Sequence, residues 1–229
     1  MEIGFFEADE GYIQALDEYD KKDAIIAIAI FLVYMGFVYL AGLVFRYIII
    51  NDIPDTRLTS VLVLAPVNFS VLTLVILVLL RKKQKFSSIG ITKHKIVKSS
   101  MIGMILGSLV FVSNHTHHTF FSFLGAVSPL ELFYMFLVVS FVEELFFRGY
   151  LQTRLYGLVK SGFWSITIVG LLFWVAHVPL FLPLSEFNAM PNLLRPGFFI
   201  AHVALNFLHR KYNNLSGPII LHGFLNLRF

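Results

Sequence analysis

The chain has 229 residues, of which 57% are hydrophobic and only 14% charged, and its mean hydropathy is +0.77. Soluble domains carry about 25% charged residues, so this composition excludes a soluble globular protein of this size. The chain contains no cysteine, which excludes disulfides and cysteine-ligated metals, and the net charge of +4 gives no indication of nucleic-acid binding.

Residues 1–22 form an acidic lead that does not resemble a secretory signal peptide, because its charges are negative where such a peptide needs positive ones. The lead contains aromatic and aliphatic residues that would let it lie on the membrane surface, and a solvated tail is the alternative. Residues 23–229 are then expected to form a single transmembrane domain.

Seven apolar runs in this domain are predicted to be membrane helices, since a span needs about 20 apolar residues. They cover approximately residues 24–45, 58–80, 101–124, 129–158, 162–182, 196–208 and 215–227. The fourth run is interrupted by charged residues, and the last two are short enough to be tilted or partly embedded. The predicted fold class is therefore an all-α transmembrane bundle of about seven spans.

The distribution of basic residues predicts the orientation of the bundle. The densest cluster lies between the second and third runs and consists of Arg81, Lys82, Lys83, Lys85, Lys93, Lys95 and Lys98. Because basic loops stay on the cytoplasmic side, this loop and the N-terminus are expected to be cytoplasmic. Counting spans places Lys160 and Arg210 on the same side. The expected location is the cell membrane.

Two adjacent glutamates, Glu143 and Glu144, interrupt the fourth run. Each ionisable residue at bilayer depth costs about 2.5–3.5 kcal/mol, so such a pair requires an explanation. Arg148 is four residues after Glu144 and shares its helix face, which predicts an ion pair. Glu143 points about 100° away from Glu144 and is left to face another group.

Histidines in later runs are candidate partners for Glu143. His177 lies late in the fifth run, and His222 and Asn226 are four residues apart in the last. A carboxylate and a histidine can take a proton from water. A histidine and an asparagine can donate hydrogen bonds to a developing oxyanion. These are the groups that hydrolysis of an amide by water requires.

These residues, taken in order, resemble the CPBP intramembrane proteases, also called the Abi family, which include the type II CAAX prenyl endopeptidases. The three motifs are Glu143-Glu144 with Arg148, Phe173 with His177, and His222 with Asn226. Residues 212–221 resemble the family's approach to its last motif, and the resemblance covers about residues 128–226.

The resemblance implies an intramembrane endopeptidase that cleaves near a membrane-anchored or lipidated, CAAX-type segment. It implies that Glu143 activates water with help from His177. His222 and Asn226 would stabilise the oxyanion. Glu144 would form a supporting pair with Arg148, although the family motif treats both glutamates as essential. The expected partners are membrane lipid and a peptide or lipidated protein substrate.

No cofactor is expected, and a zinc ion is the alternative. Zinc takes three protein ligands and one open position, which Glu143, His177 and His222 could supply. The His-Glu-x-x-His arrangement of the zincins is absent, however. The resemblance also implies a glutamate protease that works without a bound metal.

Other patterns leave further alternatives open. His202 and Asn206 have the spacing of the last motif and form a rival oxyanion pair or a polar contact between helices. A histidine tract, His115, His117 and His118, is interpreted as a hydrated helix end rather than a metal site. The family also includes catalytically idle scaffolds and bacteriocin-immunity proteins. A proton-coupled transporter would use the same buried carboxylates as a relay.

Overall fold

The structure, a computed structural model, describes residues 8–53, 57–114, 129–187 and 197–227. Within these ranges the chain is helical and contains no strand, which confirms the predicted all-α class. The α-helices are α1 Glu10–Asp17, α2 Lys21–Ile50, α3 Arg57–Arg81, α4 Ile96–Asn114, α5 Pro129–Phe133, α6 Phe141–Glu144, α7 Gln152–Val159, α8 Gly162–Val175, α9 Val178–Phe181, α10 Gly197–Tyr212 and α11 Ser216–Asn226. Short 3₁₀ turns lie at Phe86–Ile89 and Leu182–Phe187.

Four helical segments are long and apolar enough to cross a membrane by length and composition: Lys21–Ile50, Leu58–Arg81, Ile96–Ser113 and Gly162–Leu184. In the part of the chain that the structure describes, the other three predicted spans do not have this character, and the count of about seven remains a prediction. The fourth run carries the glutamates and arginines. The sixth and seventh runs correspond to α10 and α11, which have only 16 and 11 residues. These less regular segments supply most of the polar groups described below.

The glutamates lie on one continuous helical run, residues 129–159, which we call the glutamate helix. It joins α5, α6 and α7 through two π-helical segments, Tyr134–Ser140 and Leu145–Leu151. The Ser140 hydroxyl donates a hydrogen bond to the Met135 carbonyl five residues earlier, at 2.6 Å. Such widened turns occur frequently at functional sites. Here they flank the short α6 that carries both glutamates.

The apolar core surrounds the glutamate helix. Phe146 packs against Tyr34 of α2, with ring centroids 5.6 Å apart, and Phe147 packs against Phe173 of α8 at 5.0 Å. All four of these rings are buried. In contrast, large aliphatic residues on the outer faces of α2 and α3, such as Leu32, are exposed. An outer apolar surface of this kind suits contact with lipid.

The last helix, α11, is fixed against α4 by a close backbone contact. A Cβ atom added to Gly217 would lie 2.4 Å from the Ser99 carbonyl oxygen, and one added to Gly103 would lie 2.4 Å from the Gly217 carbonyl oxygen. The Gly217 amide also donates to the Ser99 hydroxyl at 3.0 Å. Small residues allow membrane helices to approach in this way. The contact sets the position of His222, five residues further along.

The ends of several helices meet at one end of the bundle, which we call the basic end: the start of α2 and the ends of α3, α7 and α10. Lys82 lies 2.5 Å from Asp23, and the Lys160 ammonium donates to the Tyr19 carbonyl at 3.1 Å. These contacts join residues that are far apart in sequence, so they hold the helix ends together.

Residues 8–20 of the acidic lead pack across the basic end. The Asp9 amide donates to the Arg210 carbonyl at 2.9 Å, and the Asp9 carboxylate contacts Lys95 at 2.5 Å and His94 at 3.1 Å. Burial raises the pKa of Asp9, but the hydrogen bonds from Lys95 and His94 outweigh this and leave the pKa below its usual value. The lead is therefore held by specific contacts.

The contact between α11 and α4 predicts a strong effect of side-chain size at Gly217. We expect Gly217→Val to destabilise the protein by about 1–3 kcal/mol, because the new side chain would overlap the Ser99 backbone. Unfolding in mixed micelles would measure this change. Gly36→Val on α2 is the matched control, since an added Cβ there meets nothing within 4 Å. Equal destabilisation by both variants would contradict the proposed role of the contact.

Candidate active site

The two glutamates differ sharply in exposure. The Glu144 side chain is 0% exposed and the Glu143 side chain is 14% exposed, although the residues are adjacent on α6. Adjacent helical residues point about 100° apart, which explains the difference. Only Glu143 therefore faces open space.

Glu144 forms a buried ion pair with Arg148. The Arg148 Nη1 atom lies 2.9 Å from Glu144 Oε1, in a direction that does not meet hydrogen-bond geometry, and neither side chain is exposed. The guanidinium carbon of Arg148 lies 4.3 Å from the centroid of the Phe173 ring. A cation over an aromatic face gains electrostatic attraction. Arg148 thus balances the charge of Glu144 and leaves Glu143 without a basic partner on its own helix.

His222 lies between the two carboxylates. Its Nδ1 atom is 2.7 Å from Glu144 Oε1, and its Nε2 atom is 3.7 Å from Glu143 Oε2. An Nδ1–H group that donates to a carboxylate fixes the orientation of an imidazole ring. Glu144 therefore orients His222 so that Nε2 points toward Glu143. The sequence placed His222 beside Asn226 as an oxyanion donor and did not predict its contacts with both glutamates.

His177 follows the last turn of α8. Its Nδ1 atom lies 2.8 Å from the Phe173 carbonyl oxygen, one turn earlier in the chain. Because a carbonyl can only accept, Nδ1 carries the hydrogen, and Nε2 is the ring nitrogen that does not face this carbonyl. The Phe173 and His177 rings also pack edge to face, with centroids 5.2 Å apart. The Phe-x-x-x-His spacing thus sets the orientation of the histidine.

Asn226 ends α11 beside the glutamate helix. Its Nδ2 atom donates to the Ser140 hydroxyl at 3.3 Å. An amide nitrogen has two hydrogens, so one hydrogen remains for another acceptor. Ser140 was not predicted from the sequence, although a hydroxyl one helical turn before Glu143 in an apolar run is a detectable signal.

Four of the predicted site residues line one cavity of about 510 Å³: Glu143, His177, His222 and Asn226. Glu144 and Arg148 lie behind His222 and are not part of the cavity wall. The rest of the wall is mostly apolar and consists of Leu64, Tyr134, Met135, Val139, Phe173, Gly197, Ala201, Leu205 and Leu225. A largely apolar pocket of this size with a few convergent polar groups is typical of ligand sites.

The rival histidine–asparagine pair does not line this cavity. His202 and Asn206 are both buried, and the Asn206 amide donates to the Gln152 side chain instead. His115, His117 and His118 lie outside the described residues.

Among the described residues, no three His, Asp or Glu side chains are placed so that they could share one metal ion. The zinc interpretation would use Glu143, His177 and His222, and both nitrogens of His222 already face carboxylates. These residues do not offer a preformed zinc site in their present arrangement. A metal-free reaction remains a proposal.

The buried ion pair predicts a large loss of stability when Arg148 alone is removed. We expect Arg148→Ala to lower the free energy of unfolding by about 3–5 kcal/mol, because Glu144 would keep a buried charge without a cation. The double variant Glu144→Gln with Arg148→Gln should recover much of this loss. Unfolding in mixed micelles would measure both, with Arg81→Ala at an exposed position as the control. A double variant no more stable than Arg148→Ala would argue against the pair.

Comparison with known proteins supports the family that the three motifs predict. Residues 125–228 match the family model described as type II CAAX prenyl endopeptidase Rce1-like. No curated protein and no solved structure shows a significant match to the chain. The matched region contains every predicted site residue from Glu143 to Asn226. The match confirms the predicted resemblance of this region to the CPBP family of CAAX proteases.

Proposed function

We propose that this protein is an intramembrane endopeptidase that hydrolyses a peptide bond near a membrane-anchored or lipidated, CAAX-type segment. The observation that carries the proposal is the convergence of four polar residues on one largely apolar cavity: Glu143 of the glutamate helix, His177 at the end of α8, and His222 and Asn226 of α11. The family match of residues 125–228 supports the same activity. The apolar part of the wall suits a lipidated or hydrophobic substrate segment. We propose that the basic end faces the cytoplasm.

Glu143 is the proposed base. Its carboxylate takes a proton from a water molecule, and the water oxygen attacks the carbonyl carbon of the scissile bond. His177 orients the water through the nitrogen that faces away from the Phe173 carbonyl. The proton then passes from Glu143 to the amine nitrogen as the carbon–nitrogen bond breaks. The products are a carboxylate and an amine.

Asn226 and His222 are the proposed oxyanion donors. Asn226 has one amide hydrogen left after its bond to Ser140, and His222 can donate from Nε2 while Nδ1 donates to Glu144. Both nitrogens of His222 donate at the same time only when the ring is protonated. Donors placed where negative charge develops stabilise the tetrahedral intermediate. Arg148 acts indirectly, because it holds Glu144 in position to orient His222.

The base is tested by cleavage of a fluorogenic CAAX-type lipopeptide by the purified protein. We expect Glu143→Gln to abolish turnover while the protein folds normally, because glutamine keeps the volume but cannot accept the proton. Glu18→Gln is the matched control at an exposed position. Substantial cleavage by Glu143→Gln would remove Glu143 from its proposed role.

Two other experimental results would replace the proposal. If the wild-type protein cleaves no such peptide but takes up solute in liposomes in response to a pH gradient, the carboxylates serve transport. If active protein contains one tightly bound zinc, loses activity on chelation and regains it with zinc, Glu143, His177 and His222 form a metal site.

The oxyanion role of Asn226 predicts a loss of rate without a loss of affinity. We expect Asn226→Ala to lower kcat by roughly 10²–10³, the size typical of one lost donor, with KM little changed. Asn51→Ala, at an exposed asparagine that ends α2, should leave both constants unchanged. A rise in KM with an unchanged kcat would show that Asn226 binds the substrate rather than the oxyanion.

A further inference from the structure

Buried polar side chains continue from the candidate site toward the basic end, and the proposed chemistry uses few of them. The glutamate helix contributes three at four-residue intervals, and α10 contributes three on one face. Together with one tyrosine of α1 they form what we call the polar column: Glu144, Arg148, Gln152, His202, Asn206, His209 and Tyr12. Residues three or four apart lie on the same side of a helix, so the two rows run in parallel.

The cavity and the polar column lie against different faces of α10: Gly197, Ala201 and Leu205, at four-residue intervals, line the cavity, whereas His202, Asn206 and His209 belong to the column. The cavity is lined by the first residue of α10, Gly197, and by the last of α11, Asn226, which both lie away from the basic end. The column follows α10 from His202 toward its other end, near Tyr212. A substrate that enters the cavity therefore does not occupy the column.

The half of the column nearer the basic end is a connected series of contacts. The Asn206 amide donates to Gln152 Oε1, and Gln152 Nε2 donates to the Tyr12 hydroxyl at 2.9 Å. The Tyr12 ring packs edge to face on His209, with centroids 5.2 Å apart. His209 lies against Gly90, so that a Cβ added there would be 2.7 Å from its Nε2 atom. The column thus reaches the loop after α3 and ends beneath α1.

The half nearer the candidate site contains polar atoms without partners. Among the described residues, Arg148 Nε and Nη2, Glu144 Oε2 and both ring nitrogens of His202 make no hydrogen bond, and all three side chains are 0% exposed. The Ile166 backbone lies near the His202 ring but outside hydrogen-bond geometry. Nearer the basic end, Asn206 Oδ1 and His209 Nδ1 are also without partners.

A second buried arginine leaves one nitrogen, Nε, without a partner but pairs both of its terminal nitrogens with the protein. Arg154, also on the glutamate helix, is 0% exposed. Its Nη1 atom donates to the Ser88 carbonyl at 2.9 Å, and its Nη2 atom donates to Gln84 Oε1 at 2.8 Å. Buried polar groups in proteins are nearly always paired with protein or with ordered water. The unpartnered groups of the column therefore point to water as their partner.

We propose that the polar column is hydrated and supplies water to the candidate site from the basic end while a peptide occupies the cavity. The supply role rests on the proposed hydrolysis, whereas the hydration does not. Each bond cleaved consumes one water: its oxygen and one hydrogen enter the new carboxyl group, and its other hydrogen goes to the amine. A buried water makes about three hydrogen bonds, and the unpartnered atoms of Arg148, Glu144 and His202 are the proposed partners of water in the column.

Hydroxyl-radical footprinting of the intact protein in nanodiscs tests the hydration without requiring activity. Radicals formed from water oxidise side chains that touch it. We expect His202 and His209 to be oxidised although both are buried, and Phe31, which is buried in the apolar core, to remain unmodified. Oxidation of His202 and His209 no faster than that of Phe31 would show a dry column and overturn the proposal.

A variant that blocks the middle of the column tests the route. We expect Asn206→Leu to reduce oxidation of His202 several-fold, because it removes a polar group and fills the space beside Gln152. Ala204→Leu adds the same side chain to an exposed position on α10 and should change nothing. If Asn206→Leu does not fold, His209→Phe places the block nearer the basic end with the same expectation. Unchanged oxidation of His202 would show that water reaches it from the cavity, which overturns the route.

The peptide assay then separates supply from hydration. In Asn206→Leu we expect kcat to fall several-fold and KM to stay constant, since the peptide still binds in the cavity. If Asn206→Leu shows reduced oxidation of His202 but an unchanged kcat, the column of the wild-type protein is hydrated but does not supply water to the site. A wild-type protein that cleaves no peptide would refute the proposed function, and the footprinting result would still decide whether the column is hydrated.

Discussion

The ion pair between Glu144 and Arg148 is the interaction on which the rest of the site depends. Two adjacent carboxylates in an apolar bundle are tolerable only if at least one is neutralised, because isolated charges in such surroundings are costly. Arg148 does this for Glu144 at 2.9 Å. With its charge balanced, Glu144 accepts a hydrogen bond from His222 and orients that ring toward Glu143. This single buried pair thus sets the orientation of His222 and leaves Glu143 facing the cavity.

The scaffold holds this arrangement from several sides. Phe173 contributes twice: the Phe173 ring lies against the Arg148 guanidinium, and the Phe173 carbonyl accepts a hydrogen bond from His177. The close contact of Gly217 with Ser99 fixes α11 against α4, and therefore sets the depth of His222. Each of these contacts joins helices that are distant in sequence. A change at Phe173 would therefore disturb the ion pair and the histidine together.

The sequence predicted those features that follow from local spacing. Arg148 is four residues after Glu144, so the helical repeat alone predicts their contact, and the apolar runs predict an all-α membrane bundle. The contacts of His222 with both glutamates could not be predicted, because they depend on how far α11 is advanced relative to the glutamate helix. The contacts of Asp9 with Lys95 and Arg210 were also missed, because they depend on how helices distant in sequence pack together. The ordered motifs identified which residues matter, but their mutual geometry required the packed structure.

Two regions of different chemistry meet at the glutamates and use different faces of α10. The cavity is mostly apolar and suits a hydrophobic or lipidated peptide segment, whereas the column is polar and holds unpartnered donors and acceptors. A hydrolase within a bilayer must admit an apolar substrate and a polar one, water, to the same atoms. If water and the peptide shared one route, water would contact the apolar groups of that route, or the peptide would displace the water. Separate routes that meet at Glu143 and Glu144 avoid this conflict. On this view Arg148 serves both parts, since it neutralises Glu144 for the site and presents its remaining N–H groups to the column.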